Sequence, residues 1–162
     1  MALDKSKLKE GFLNLFGTGS SPAFPASADE AGQKWAEIIS DYSSDGTASG
    51  IPVSVSPAAQ STLALALTAA FSTVPGTPST VAQNMTTALT PFWATVTVSG
   101  AVPPTGLATG GPALLAGLTA IFSFVGGTAD SKAEEISNAL DTYTKLVQYS
   151  FAGPPPYVAF VV

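Results

Sequence analysis

The chain has 162 residues, six lysines and eleven carboxylates for a net charge of −5, and no Cys, His or Arg. That inventory excludes disulfide staples and thiolate metal sites, removes the commonest general base and transition-metal ligand, and argues against nucleic acid as a partner. The length fits one domain, 1–162, large enough to bury a real core.

The charge that exists is confined to the two ends. Residues 46–129, a run of 84, contain no Asp, Glu, Lys, Arg or His, whereas globular domains carry charge at about one residue in four. A surface built from this stretch meets other protein over a wide area or meets lipid. It is poorly equipped for acid, base or metal chemistry.

In chain order, residues 1–45 form the N-terminal charged unit. The start, Met-Ala-Leu-Asp-Lys-Ser-Lys-Leu-Lys-Glu, lacks the apolar region of a signal peptide and reads as an amphipathic helix over 4–16, with Leu8, Phe12, Leu15 and Phe16 inward. Lys5, Lys7 and Lys9 read as a solvated helix face rather than a phosphate patch. Residues 17–26, rich in Gly, Ser and Pro, are a connector. Ser27-Ala28-Asp29-Glu30 is a capping box opening a second helix, whose inward face is Trp35, Ile38, Ile39 and Tyr42. Residues 51–56 alternate as a short extended piece.

From there the chain repeats itself. Residues 63–104 set against 114–155, an offset of 51, share 17 identities in 42 positions without a gap. Leu67-Thr68-Ala69-x-Phe71-Ser72 recurs as Leu118-Thr119-Ala120-x-Phe122-Ser123, and Pro103-Pro104 as Pro154-Pro155. Each unit, 56–104 and 111–155, reads as two helices. The first helices open at Ser56-Pro57 and Gly111-Pro112 and close at Gly76 and at Gly126-Gly127. Leu63, Leu67, Ala70, Phe71 and Val74 point inward in one, and Leu114, Leu118, Ile121, Phe122 and Val125 in the other. The second helices are expected to start at two capping boxes, Thr80-Val81-Ala82-Gln83 and Ser131-Lys132-Ala133-Glu134. Their inward positions are Val81, Met85, Ala88, Leu89 and Phe92, then Ile136, Leu140, Tyr143 and Val147. Pro91 is expected to kink its helix or end it before the alternating 95–98, while the proline-free copy runs to about Gln148. Trp35, Ile38, Ile39 and Tyr42 line one helical face much as Met85, Ala88, Leu89 and Phe92 do, which makes the N-terminal unit a partial third relative.

The tail, 157–162 (Tyr-Val-Ala-Phe-Val-Val), is apolar and strand-like. It pairs within the fold or adds to the sheet edge of a neighbour. The fold class is therefore mainly α: a helical bundle built from an internally duplicated helical pair, with short extended segments and a strand-like C-terminal tail. The most apolar stretch, 113–125, falls short of the roughly 20 residues that span a bilayer.

No catalytic, cofactor-binding or metal-ligating residues are expected. Glu30, Glu37 and Asp41 could approach one another, as could Glu134, Glu135 and Asp141, but capping boxes and solvated helix faces account for them. A serine nucleophile would have only Lys or a carboxylate as its base. Thr109-Gly110-Gly111-Pro112 has no following Lys to reach a phosphate and reads as a turn and helix start. Trp35, Phe92 and Trp93, at helical spacing, read as core rather than as a stacking platform.

The Met-Ala-Leu-Asp-Lys-x-Lys-Leu-Lys start and the Gln-Lys-Trp-Ala-x-Ile-Ile-x-x-Tyr helix (33–42) precede an Ala/Thr/Gly/Pro-rich body with Val-alternating segments. In these features the chain resembles minor structural proteins of tailed-bacteriophage virions, encoded among tail and baseplate genes. The resemblance implies a non-enzymatic subunit of the virion, assembled in the host cytoplasm. Its partners would be other virion proteins or copies of itself, with no nucleic acid, membrane span, small-molecule substrate or cofactor. The alternative is a membrane-active or surface-binding protein whose uncharged helices, 58–71 and 113–125, insert on contact. Interfacial helices usually carry Lys or Arg opposite their apolar face, and these carry none.

Overall fold

The computed structural model describes residues 3–17, 25–73, 76–104 and 110–162. The expectations placed on Val74, on Thr109 and on most of the 17–26 connector fall outside the described residues. Within them the chain is mainly helical. Its helices are α1 (Lys5–Phe16), α2 (Ala28–Ser44), α3 (Pro57–Phe71), α4 (Pro78–Thr95), α5 (Gly111–Ser123) and α6 (Ala129–Thr144). Its short strands are β1 (Thr47–Ala48), β2 (Ile51–Ser54), β3 (Thr97–Val98), β4 (Ala101–Val102), β5 (Gln148–Phe151) and β6 (Tyr157–Phe160). Two helices followed by two strands thus occur three times in succession.

Each helix packs on its sequence neighbours among the helices, and α1 also packs on α6, so the six close into a ring. The strands gather at one end of it, where α2, α4 and α6 finish. Antiparallel pairing runs β1–β2–β3 and β4–β5–β6. The Ser99–Gly100 turn joins β3 to β4, and Ala48 bridges Val161. Thr47 and Val162 exchange both backbone hydrogen bonds at 2.9 Å. The tail therefore pairs within its own chain, against β5 on one side and β1 on the other. The Ser-Gly turns are glycine-dependent for conformation rather than space. Gly50 and Gly100 have φ of +76° and +78°, and nothing lies within 4 Å of an added Cβ.

Local chemistry explains the helix starts. Asp4, Ser27, Ser56, Thr77 and Thr128 each accept a hydrogen bond from a first-turn backbone N–H. The last two correct the expected starts at Thr80 and Ser131. Both helices begin one turn earlier, because Thr77-Pro78 offers a cap followed by a proline already set at a helical φ. Thr128 and Ser131 complete a capping box of their own. The helix ends also move. α3 stops at Phe71 and α5 at Ser123, before the glycines expected to close them, and α6 stops at Thr144 so that Gln148 opens β5.

Pro91 neither ends α4 nor coincides with a break in it; the helix continues to Thr95. The proline lies on the exposed face, so the carbonyl of Thr87 that loses its N–H partner faces water instead of the core. Val125, expected inward, is fully exposed because α5 has already finished.

A single core fills the ring. Trp35, Met85 and Ile136 form one buried set from α2, α4 and α6; Ile39, Leu89 and Leu140 form a second; Tyr42, Phe92 and Tyr143 form a third. Leu89 and Leu140 are each 3% exposed. Phe71 and Phe122 are both half-buried against the core rather than within it. Trp93 is fully enclosed beside Phe92, ring centroids 5.3 Å apart.

Candidate functional site

All seventeen charged side chains lie on α1, α2 or α6, or on the residue capping one of their ends. Because α1 sits between α2 and α6, those three helices are contiguous in the ring. The two ends of the sequence thus become one charged flank. The other flank, α3, α4 and α5, and all six strands with their turns, carry no charged side chain.

On the charged flank the side chains are largely paired with one another. Lys5 meets Glu134 at 2.9 Å, and Lys9 bridges Asp130 at 3.0 Å and Glu134 at 3.2 Å, stitching α1 to α6. Hydrogen bonds from these two lysines hold the Glu134 carboxyl below the usual carboxylate range. Lys7 donates to Asp45 at 2.6 Å, and that bond raises the lysine's pKa. The three N-terminal lysines remain at the surface, as a solvated helix face does, and each is paired there with a carboxylate. A groove of about 450 Å³ between α1 and α2 holds Lys7, Asp41 and Asp45. Among the described residues no group of three His, Cys, Asp or Glu side chains is placed to hold a metal ion.

Asp141 was grouped with Glu134 and Glu135 on sequence spacing, but it is buried and turned away from both. It accepts 2.5 Å from the hydroxyl of Tyr42 and 2.8 Å from Lys145. Burial, reinforced by that carboxylate, pushes the Tyr42 phenol well above its ordinary pKa. Trp35, Phe92 and Trp93 all lie in the core.

The uncharged flank has a property that composition alone hides. Its helices are rich in hydroxyls, and many turn back onto their own backbone. Ser61 and Thr62 donate to the carbonyls of Pro57 and Ala58 at 2.9 Å, Ser72 to Thr68 at 2.7 Å and Thr87 to Gln83 at 2.8 Å. A back-bonded hydroxyl asks less of a partner and leaves its methyl or methylene outward. Leu65 stands exposed on the same helix as Ser61 and Thr62. This flank therefore presents neither charge to desolvate nor many free donors to satisfy.

At the end of the ring opposite the strands lies an apolar cleft of about 430 Å³, walled by Phe16, Trp35, Ile121, Phe122 and Ile136. Its one cation, Lys132, is engaged by the Ile121 carbonyl at 2.8 Å, by Glu135 at 3.7 Å and by the ring of Phe124 at 4.7 Å. No described helix is long and apolar enough to cross a membrane.

No protein-family model, no curated protein and no solved structure matches the chain.

Proposed function

We propose that this protein is a non-enzymatic structural subunit of a large assembly, acting through protein–protein contacts, and that the assembly is a bacteriophage tail, baseplate or neck. The observation that carries the assembly role is the division of the surface into a charged flank and an uncharged one. Burying a lone charge in an interface costs several kcal/mol of desolvation, and interface centres are depleted of Lys, Glu and Asp. The flank of α3, α4 and α5 avoids that cost, and its back-bonded hydroxyls lower the need for matched donors. The charged flank, with its internal ion pairs, stays wet. The phage setting rests on the resemblance of the start, the 33–42 helix and the Ala/Thr/Gly/Pro-rich body to minor virion proteins.

The test is co-expression with the products of the genes that flank this one, followed by purification on this chain. A complex of fixed stoichiometry with sheath, tube or baseplate-type partners is the expected outcome. Flanking genes of metabolic character and a chain that purifies alone would overturn it.

A further inference from the structure

The assembly reading leaves open which surface a second subunit takes, and the strand end answers it. From Val158 to Val162, along β6 and its extension, side chains alternate. Val161 is enclosed in the core, and Ala159 is half-buried, while Val158, Phe160 and Val162 are 57%, 46% and 50% exposed. Register places Val102 opposite Ser150 and Ser150 opposite Val158, which puts the 53%-exposed Val102 on the same outer face. Thr47, hydrogen-bonded to Val162, and Pro52 beyond it continue that face toward β2.

Four half-exposed apolar side chains on one sheet expose on the order of 300 Å², the size of the largest apolar patch of an ordinary monomer. With the uncharged rim of Pro52, Ser54, Thr97 and Pro103 the face grows toward the roughly 800 Å² per partner that stable interfaces bury. Charge then chooses the occupant. Two molecules of net charge −5 repel, but no strand or strand turn carries a charged residue. Copies meeting on the sheet face place no strand charges opposite one another, and the charges nearest to it, Asp45 and Lys145 on the caps of α2 and α6, are already paired with Lys7 and Asp141. The first turns of α2 and α6 at the loop end carry only acidic charged residues, Asp29, Glu30 and Asp130. A twofold interface matches a patch with itself, and an uncharged apolar sheet face is complementary to its own copy.

We propose that the outer face of β4–β5–β6, centred on Val102, Val158 and Phe160, is the docking surface for a second copy of this chain in a twofold dimer. This rests on the assembly reading and locates its first contact on the C-terminal sheet rather than on residues 46–129 alone. Sedimentation equilibrium of the full chain across 1–200 μM reads the dimer directly. The expected result is a dimer that Val158→Lys weakens at least tenfold, while Leu65→Lys on the exposed face of α3 leaves it unchanged. The chain has no cysteine, so Val158→Cys and Leu65→Cys add an independent readout: under mild oxidation only the first should form a disulfide-linked dimer.

A wild-type chain that stays monomeric throughout overturns the proposal. So does a dimer that Leu65→Lys disrupts and Val158→Lys does not, which would leave the uncharged-flank assembly standing and move the contact to α3. Flotation of the wild type with phosphatidylcholine vesicles, abolished by Val158→Lys, would overturn it in favour of a lipid surface.

Discussion

The hydroxyl of Tyr42 donates to Asp141 across 2.5 Å although the two residues lie 99 positions apart, tying the second helix to the sixth where the ring closes. Asp141 also takes the Lys145 ammonium, so its buried carboxylate is answered on both oxygens. Removing one side of such a pair costs more than removing both, because the survivor keeps its desolvation penalty. Asp141→Ala, which leaves the Tyr42 hydroxyl orphaned in the core, should destabilise by about 2–3 kcal/mol in urea unfolding. Tyr42→Phe, which leaves Asp141 its lysine, should cost about 1–2 kcal/mol. If the double variant loses the sum of the two, the pair is uncoupled and does not help close the ring.

Three buried phenols make the fold sensitive to alkali. Burial pushes Tyr143 up to about 12, and pushes Tyr42 and Tyr149 higher still, from an ordinary value of 10. Above pH 10 the unfolded chain has lost these protons while the folded chain keeps them, so the unfolded state binds fewer protons and stability falls with rising pH. The contribution is complete below pH 10 and is lost as pH climbs through the folded values. Melting temperature should be flat near neutrality and drop between pH 10 and 12. Tyr143→Phe should make that drop shallower, and an unchanged slope would place the phenol in water.

Much of this fold was legible in the sequence because its signals are local. The Ser56-Pro57 start and the inward spacing of Leu63 and Leu67, or of Leu114 and Leu118, need only a few neighbouring residues. The capping boxes at Thr80 and Ser131 misled because Thr and Ser stand at both registers, and only proline at 78 favours the earlier one. Pro91 misled because the cost of a helix-interior proline depends on which face it occupies, and that face is set by distant packing. Nothing local says that α1 meets α6, that residue 162 bonds residue 47, or that Lys5 and Lys9 find Asp130 and Glu134. The uncharged stretch was visible as a run of letters. Its merger with an equally uncharged C-terminal sheet depends on a register that only the folded chain supplies.

Gly32 and Gly117 make a paired test of helix packing. A Cβ at Gly32 would meet the Thr68 hydroxyl, and would lie 2.6 Å from the Thr68 nitrogen and 2.8 Å from the Ala64 oxygen. Those backbone atoms of α3 cannot move without moving the helix, so Gly32→Ala should destabilise by about 2–3 kcal/mol, the upper range of overpacking costs. At Gly117 the added Cβ reaches only Ala139 Cβ, at an ordinary 3.6 Å. There the helix preference for alanine should prevail and stabilise by about 0.5–1 kcal/mol. Melting curves of the two variants should shift in opposite directions; a Gly32→Ala variant that melts at or above the wild type would mean that α2 and α3 are not in the close contact described.

The last six residues close the circle of strands, and their alternation says which of them matter to the fold. Val161 is enclosed and bridges Ala48, whereas Val162 beside it is half-exposed. Val161→Ala should therefore cost about 1–3 kcal/mol through lost burial and the cavity left behind. Val162→Ala should change stability by less than about 0.5 kcal/mol, as surface substitutions do. Deleting 157–162 removes the β5–β6 ladder, the Ala48 bridge and the Thr47–Val162 pair together, leaving Tyr149 and Ala48 without their cover. Chain ends ordinarily fray at no cost, so a loss well beyond that of Val161→Ala marks this end as part of the core. Were the shortened chain to melt with the full-length protein, the strands would not close the ring, and the apolar face built on them would have no rigid support.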